Sequence, residues 1–163
     1  MRYLAIDPGT HKAGVAIADL PDEPTHLGRG AIPAPLQAGN PPYKPNHFAE
    51  LLNTVQILHR AVLPIEELLE RLPGWLEQYA PQRLLLGAGT GSKALLARLK
   101  VQFPHLRWEL VEERDTTLHA RRLYFHFHPP RGWRRLLPMG LRIPPEPYDD
   151  YAALLLIFRA HHS

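Results

Sequence analysis

Apolar residues near the start of the chain form two short runs separated by turn-forming residues. The runs occupy 3–6 and 15–18, and the residues between them include a proline and two glycines. Such a pattern is typical of a β-hairpin, so the second run should pair antiparallel with the first. Gly9 and Gly14 permit close approaches that a Cβ would block, including the approach of a phosphate.

The secondary structure of residues 21–62 is ambiguous from the sequence. A stretch rich in proline and glycine at 21–45 predicts an irregular surface insertion, within which 27–33 is a candidate third strand. Apolar residues between 47 and 62 approximate helical spacing, whereas 54–58 also fits a strand. Both interpretations stay open at this point.

From residue 65 onward, the hydrophobic pattern alternates between helical and extended periods. Apolar residues of 65–79 lie on one side of a predicted helix, which Pro73 and Gly74 should break or kink. The pattern then predicts a strand at 83–86, a loop at 87–92, a helix at 93–103, a strand at 107–111, a helix from Thr116 or Thr117 to about Tyr124, and a final helix at 148–161. A hairpin followed by this alternation indicates an α/β fold, in which helices cover the faces of a mixed sheet.

Composition narrows the class of protein. The 163 residues suit one domain, 1–163, and the apolar content of 45% is that of a globular protein. No apolar run approaches membrane-spanning length, and the first residues lack the form of a signal peptide. Cysteine is absent, which excludes disulfides, thiol catalysis and zinc–thiolate sites. We expect a cytoplasmic protein without a membrane partner.

The basic residues are concentrated in one segment. Between residues 119 and 142 there are six arginines and no acidic residue, and without them the chain has more acidic than basic residues. Arginine binds phosphate in a bidentate manner, and aromatic rings stack on unpaired bases. We therefore expect the segment to contact nucleic acid through Arg131, Trp133, Arg134 and Arg135. The alternative is that the aromatic residues pack into the core, as we expect for Tyr124, and that the arginines are only solvated.

Three acidic positions lie at the ends of predicted elements. Asp7 closes the first strand, Glu113 follows the last strand, and Asp149 with Asp150 opens the last helix. If the first and last strands are adjacent, these carboxylates meet at one end of the sheet and require a counter-ion. Oxygen ligands suit Mg²⁺ or Mn²⁺, which can activate water for attack on a phosphodiester.

Each acid also has a plainer explanation. Asp7 fits an ordinary Asp-Pro-Gly turn. Glu113 can form a surface ion pair with Arg114 or Arg83. Asp149 suits a helix N-terminus as a capping acid.

Three motifs in order along the chain resemble one family. They are Asp7-x-Gly-Thr with Gly14-Val-Ala, then 112–117 (EERDTT), then 149–157 (DDYAALLLI). Together they resemble the YqgF/RuvX family of Holliday-junction-resolvase-like proteins, which are also described as pre-16S ribosomal RNA nucleases and belong to the ribonuclease H-like superfamily. The resemblance covers almost the whole chain.

The resemblance implies a ribonuclease H-like, five-stranded mixed sheet and a metal-dependent nuclease. It implies that Asp7, Glu113 and Asp149 are the catalytic, metal-binding acids for Mg²⁺ or Mn²⁺. Asp150 is the alternative at its position, and Glu146 would serve if the alignment slips by a turn. Arg114 would face phosphate. Independently of the resemblance, the basic segment adds Arg121 and Arg122 to the expected nucleic-acid surface. The substrate would be structured or single-stranded RNA or branched DNA, and a homodimer stays open.

Two other functions compete with the nuclease. One is a non-catalytic nucleic-acid-binding protein. The other is a nucleotide-binding phosphotransferase of the actin and hexokinase superfold, because 7–10 and the glycine-rich loop 87–92 resemble its phosphate and adenosine loops. The absence of a second lobe in a chain of this length counts against the phosphotransferase.

Overall fold

The chain begins with an antiparallel hairpin. The computed structural model describes residues 1–21, 53–112, 124–125, 128–129 and 149–161. Strand β1 (Arg2–Pro8) pairs with β2 (Lys12–Asp19). The register places Leu4 opposite Ile17 and Ile6 opposite Val15, which confirms the predicted pairing.

The strand that pairs with the outer side of β2 comes from the residues just before 65. Strand β3 (Gln56–Pro64) runs antiparallel to β2 and forms one edge of the sheet. The helical interpretation is therefore wrong for the part of 47–62 that β3 covers, because alternate residues of β3 face opposite sides of the sheet. Most of the predicted insertion and its candidate strand lie outside the described residues.

Helix α1 (Ile65–Tyr79) follows β3 directly. Its first-turn acids Glu66 and Glu67 suit the positive end of the helix dipole. The helix continues through Pro73, so of the predicted break or kink the break is wrong. Leu72 and Trp75, on either side of Pro73 and Gly74, are buried, and their packing compensates for the hydrogen bond that proline cannot donate.

The second half of the sheet is parallel. Strand β4 (Arg83–Gly87) pairs with β1, helix α2 (Ser92–Gln102) follows, and β5 (Trp108–Val111) pairs with β4. The resulting order is β3-β2-β1-β4-β5. The first and last strands are thus not adjacent, because the chain that leaves α1 adds β4 directly beside β1. The sequence analysis made the meeting of Asp7 and Glu113 depend on adjacent strands, and that condition is not met.

Helices cover both faces of this sheet. The last described helix, α3 (Asp149–His161), packs on one face against Tyr3 and Ala5 of β1 and Ala16 and Ala18 of β2. Helices α1 and α2 pack on the opposite face. The fold is therefore the predicted α/β mixed five-stranded sheet flanked by helices. None of the helices in the described parts of the chain has the length and apolarity needed to cross a membrane.

Candidate active site

Asp7 lies near the carboxyl end of the central strand β1. Side chains alternate along a strand, and Tyr3 and Ala5 face α3, so Asp7 lies on the α3 side of the sheet. It is partly buried. The parallel strands β4 and β5 also end at this edge, where the functional side chains of open α/β sheets usually lie.

Gly14 brings the N-terminus of α3 against the sheet beside Asp7. The Cα of Gly14 is the cross-strand partner of the Cα of Asp7. A Cβ on Gly14 would lie 2.0 Å from the carbonyl oxygen of Asp149 and 2.6 Å from the backbone nitrogen of Asp150. No side chain fits between the strand and the helix at this point. The close approach that the sequence predicted for Gly14 is made by protein backbone.

Asp149 has a basic neighbour. Its Oδ2 atom lies 3.0 Å from the Nζ of Lys12, the first residue of β2. The same oxygen is buried and accepts no hydrogen bond in acceptable geometry from the described residues. The lysine therefore neutralises the carboxylate without satisfying its acceptor capacity.

Asp150 is the more enclosed of the two helix acids. Its Oδ2 lies 3.5 Å from Nη1 of Arg60, and its Oδ1 accepts a hydrogen bond of 3.0 Å from the backbone N–H of Tyr151. The Arg60 guanidinium also lies over the Tyr151 ring, 4.1 Å from its centroid. Burial raises the pKa of Asp150, and the nearby Arg60 offsets part of that effect. A partly desolvated carboxylate in such a position is a common feature of functional sites.

The glycine-rich loop between β4 and α2 packs against the hairpin turn. Gly91 has φ +83°, and a Cβ there would lie 2.6 Å from the carbonyl oxygen of Gly9. Backbone packing thus requires glycine at position 91 without reference to a bound phosphate. The loop also joins the far strand, because the N–H of Ala88 donates to the carbonyl oxygen of Val111 at 2.9 Å.

The structure places three of the predicted acids at one edge of the sheet. The backbone of Asp149 and Asp150 lies against Gly14, which is the cross-strand partner of Asp7. Within the described ranges, no cluster of three or more His, Cys, Asp or Glu residues could hold a metal ion. The remaining predicted site residues lie outside the described residues: Glu113, Arg114, Arg121, Arg122, Arg131, Trp133, Arg134 and Arg135, together with the substitute Glu146.

Two basic residues of the site escaped the sequence analysis. Lys12 lies in the turn region between two predicted strands, and Arg60 lies in the ambiguous segment before residue 65. Once β3 is assigned, alternation alone places Arg60 on the α3 side, because it is the partner of Ala16. Arg83, which was a candidate partner of Glu113, instead forms a bidentate ion pair with Glu109.

Comparisons with known proteins support the fold. No family model matches the chain, and no curated protein matches its sequence. Among solved structures, the chain is similar to T. thermophilus RuvC in complex with Holliday junction substrate, with a TM-score of 0.54 and 12% identity over 99% of this chain and 94% of that chain.

Two further solved structures align at lower scores. A Thermus thermophilus RuvC structure has a TM-score of 0.49 and 15% identity over 99% of this chain and 96% of that chain. The Fowlpox virus resolvase in complex with Holliday junction DNA has a TM-score of 0.47 and 10% identity over 98% of both chains. The similarity to T. thermophilus RuvC shows a shared α/β fold, in agreement with the fold that the motif resemblance implied. The narrower resemblance to the YqgF/RuvX family stays a prediction.

Proposed function

We propose that this chain is a metal-dependent nuclease that hydrolyses phosphodiester bonds of structured or single-stranded nucleic acid. The observation that carries the proposal is the contact at Gly14, which holds the N-terminus of α3 against the sheet beside Asp7. Residues 142 positions apart in the sequence are thereby fixed at one edge of a rigid scaffold. Asp7 and Asp149 are the proposed metal ligands, and Asp150 is the alternative to Asp149.

The described acids offer the type of donor atom that suits a hard divalent cation. The oxygen donors of carboxylates are the ligands that Mg²⁺ and Mn²⁺ prefer. The buried Oδ2 of Asp149 retains unused acceptor capacity, and the raised pKa of Asp150 reports partly desolvated negative charge. A cation between the strand and the helix would stabilise both features.

The third acid in this proposal is Glu113. Strand β4 lies between β1 and β5, contributes no acid, and ends at Gly87, which has no side chain. The carboxyl end of β5 is two strand spacings from β1, about 10 Å, a gap that two carboxylate side chains and one or two ions can span. Val111, two positions before Glu113, packs on the α3 side of the sheet.

The chain's own residues would position the nucleic acid and the ions. When bound, a divalent cation supplies an activated water and stabilises the departing 3′ oxygen. Asp7 and Asp149 would orient it from two elements whose backbones meet at Gly14. Arg114, Arg121, Arg122, Arg131, Trp133, Arg134 and Arg135 would hold the backbone and bases of the substrate. Because RuvC of similar fold was solved with a Holliday junction, a four-way DNA junction and a ribosomal RNA precursor are the first substrates to assay.

The test is cleavage of labelled four-way DNA junctions and RNA by the Asp7→Asn protein. We expect the wild type to require Mn²⁺ or Mg²⁺, and the variant to bind substrate while losing at least about 100-fold in cleavage rate. Glu70→Gln is the matched control, because Glu70 is exposed on α1 on the opposite face of the sheet. Unchanged cleavage by Asp7→Asn would refute the proposed site.

One observation favours the non-catalytic alternative. Both helix acids already have a basic neighbour, Lys12 for Asp149 and Arg60 for Asp150, so the site is partly neutralised without a metal. A purely binding protein would show nucleic-acid affinity that falls steeply with salt and no turnover with any divalent ion. The cleavage assay therefore separates the two functions directly.

A further inference from the structure

We propose that Lys12 is the resident counter-ion of Asp149 in the metal-free protein, and that it contacts a phosphate of the nucleic acid once a divalent cation occupies Asp149. The inference rests on the proposed nuclease function and adds to it a residue that exchanges partners. The motif resemblance assigned no role to Lys12.

The backbone of Lys12 is fixed in position. Lys12 is the first residue of β2, where it pairs with Pro64 of β3. Its carbonyl oxygen accepts a hydrogen bond of 2.9 Å from the N–H of Gly9, which closes the hairpin turn. Only the side chain is therefore able to move, and the four-carbon stem of lysine gives its ammonium a wide reach.

The contact between Lys12 and Asp149 is a loose one. The side chains are 52% and 36% exposed, and the 3.0 Å contact does not satisfy the buried Asp149 oxygen as a hydrogen bond. A half-exposed ion pair of this kind contributes little to stability and is readily exchanged.

Arg60, by contrast, is held in place. Its pair with Asp150 has side-chain exposures of 27% and 14%, and its guanidinium also lies over the ring of Tyr151. Of these two described residues, Arg60 therefore stays with Asp150 as a positioning residue, and Lys12, the more exposed, can leave.

Simple electrostatics requires Lys12 to move when a cation binds. An ammonium 3.0 Å from the ligand oxygen would repel a divalent ion placed on that oxygen. The displaced ammonium stays tethered at the edge of the sheet where the substrate would lie. Lysine commonly binds phosphate as a point charge, and the phosphodiester group is the anion that a nuclease brings there.

The experiment compares the wild type with Lys12→Met, which keeps much of the apolar stem and removes the charge. Mn²⁺ affinity of the nucleic-acid-free protein is measured by calorimetry. Affinity for a labelled four-way DNA junction is measured in Ca²⁺, which replaces the catalytic ion and limits cleavage. Lys12→Arg tests rescue by charge, and Lys100→Met on α2 is the control for loss of an exposed lysine.

We expect opposite changes in the two affinities. Lys12→Met should bind Mn²⁺ at least about threefold more tightly, because a competing positive charge is gone, and should bind the junction at least about threefold more weakly. Lys12→Arg should restore junction binding, and Lys100→Met should change neither affinity. The apparent melting temperature of metal-free Lys12→Met should stay within about 2 °C of the wild type.

The outcomes separate this inference from the proposed function. Equal Mn²⁺ affinity in the wild type and Lys12→Met, or an unchanged junction affinity, overturns the role of Lys12 and leaves the nuclease proposal standing. No Mn²⁺ binding by either protein overturns the metal site itself, and the role of Lys12 with it.

Discussion

Substitution of Gly14 by alanine is the sharpest test of how the site is assembled. The added Cβ would lie 2.0 Å from the carbonyl oxygen of Asp149, whereas real Cβ contacts seldom fall below 3.0–3.4 Å. The strand and the helix must therefore separate by about 1.0–1.4 Å at this point. The obstacle is backbone on both sides, so a change of side-chain rotamer cannot relieve it.

The expected cost follows from what α3 buries. Nine of its 13 residues are buried, and most of them pack on the sheet. Overpacking a core typically costs 1–3 kcal/mol, and a backbone clash that shifts a buried helix should reach the top of that range, about 3 kcal/mol. Because a misplacement of about 1 Å in a catalytic group can cost about 100-fold in rate, cleavage should fall by a similar factor.

Urea denaturation followed by circular dichroism measures the first effect, and Mn²⁺ titration with the junction-cleavage assay measures the second. Gly74→Ala is the matched control. Nothing lies within 4 Å of its Cβ position, and it sits in α1, so alanine there should stabilise the protein by about 0.5–1 kcal/mol. If Gly14→Ala is as stable as the wild type and binds Mn²⁺ equally well, the proposed contact between α3 and β2 is wrong.

Two further predictions concern stability away from the acids. Burial lowers the pKa of His59, and the charge of Arg71 adds to the effect. As pH falls, the imidazole of the unfolded chain is therefore protonated before that of the folded protein. The free energy of unfolding should consequently fall as pH drops below 6.5. His59→Phe should flatten that loss between pH 7.5 and 5.5 in thermal melts; an unchanged slope would contradict the assignment. Gly91→Ala should destabilise the protein by at least about 1 kcal/mol in urea denaturation, because alanine is strained at φ +83° and meets the carbonyl oxygen of Gly9. Wild-type stability of that variant would show that the loop can move away.

The sequence predicted local structure well where periodicity and length agreed. The strand at 83–86 and the helices at 65–79 and 93–103 appear within one residue of their predicted bounds, and the hairpin strands within three. Each of these elements can be predicted from its own residues, because the hydrophobic periodicity indicates one buried face and turn-forming residues mark the ends. The secondary structure of 47–62 could not be assigned from the sequence, because its apolar residues fit both helical and strand periodicity. Pairing with β2 is what makes part of this segment a strand.

The candidate site divides in the same way. Asp7 and Asp149 could be predicted as candidates from their places at the ends of elements and from the motif resemblance. Lys12 and Arg60 could not, because nothing near them in the sequence indicates that a helix beginning at residue 149 packs above them.

Apart from β3, the sequence by itself determined which of the described segments form strands and helices, and that carboxylates stand where some of those elements end. Only the tertiary structure decided that β4 separates β1 from β5, that Gly14 admits the backbone of α3, and that lysine and arginine accompany the helix acids. The physical reason is that periodicity reports which face of an element is buried, whereas contacts between distant residues depend on strand order and on how closely two backbones can approach.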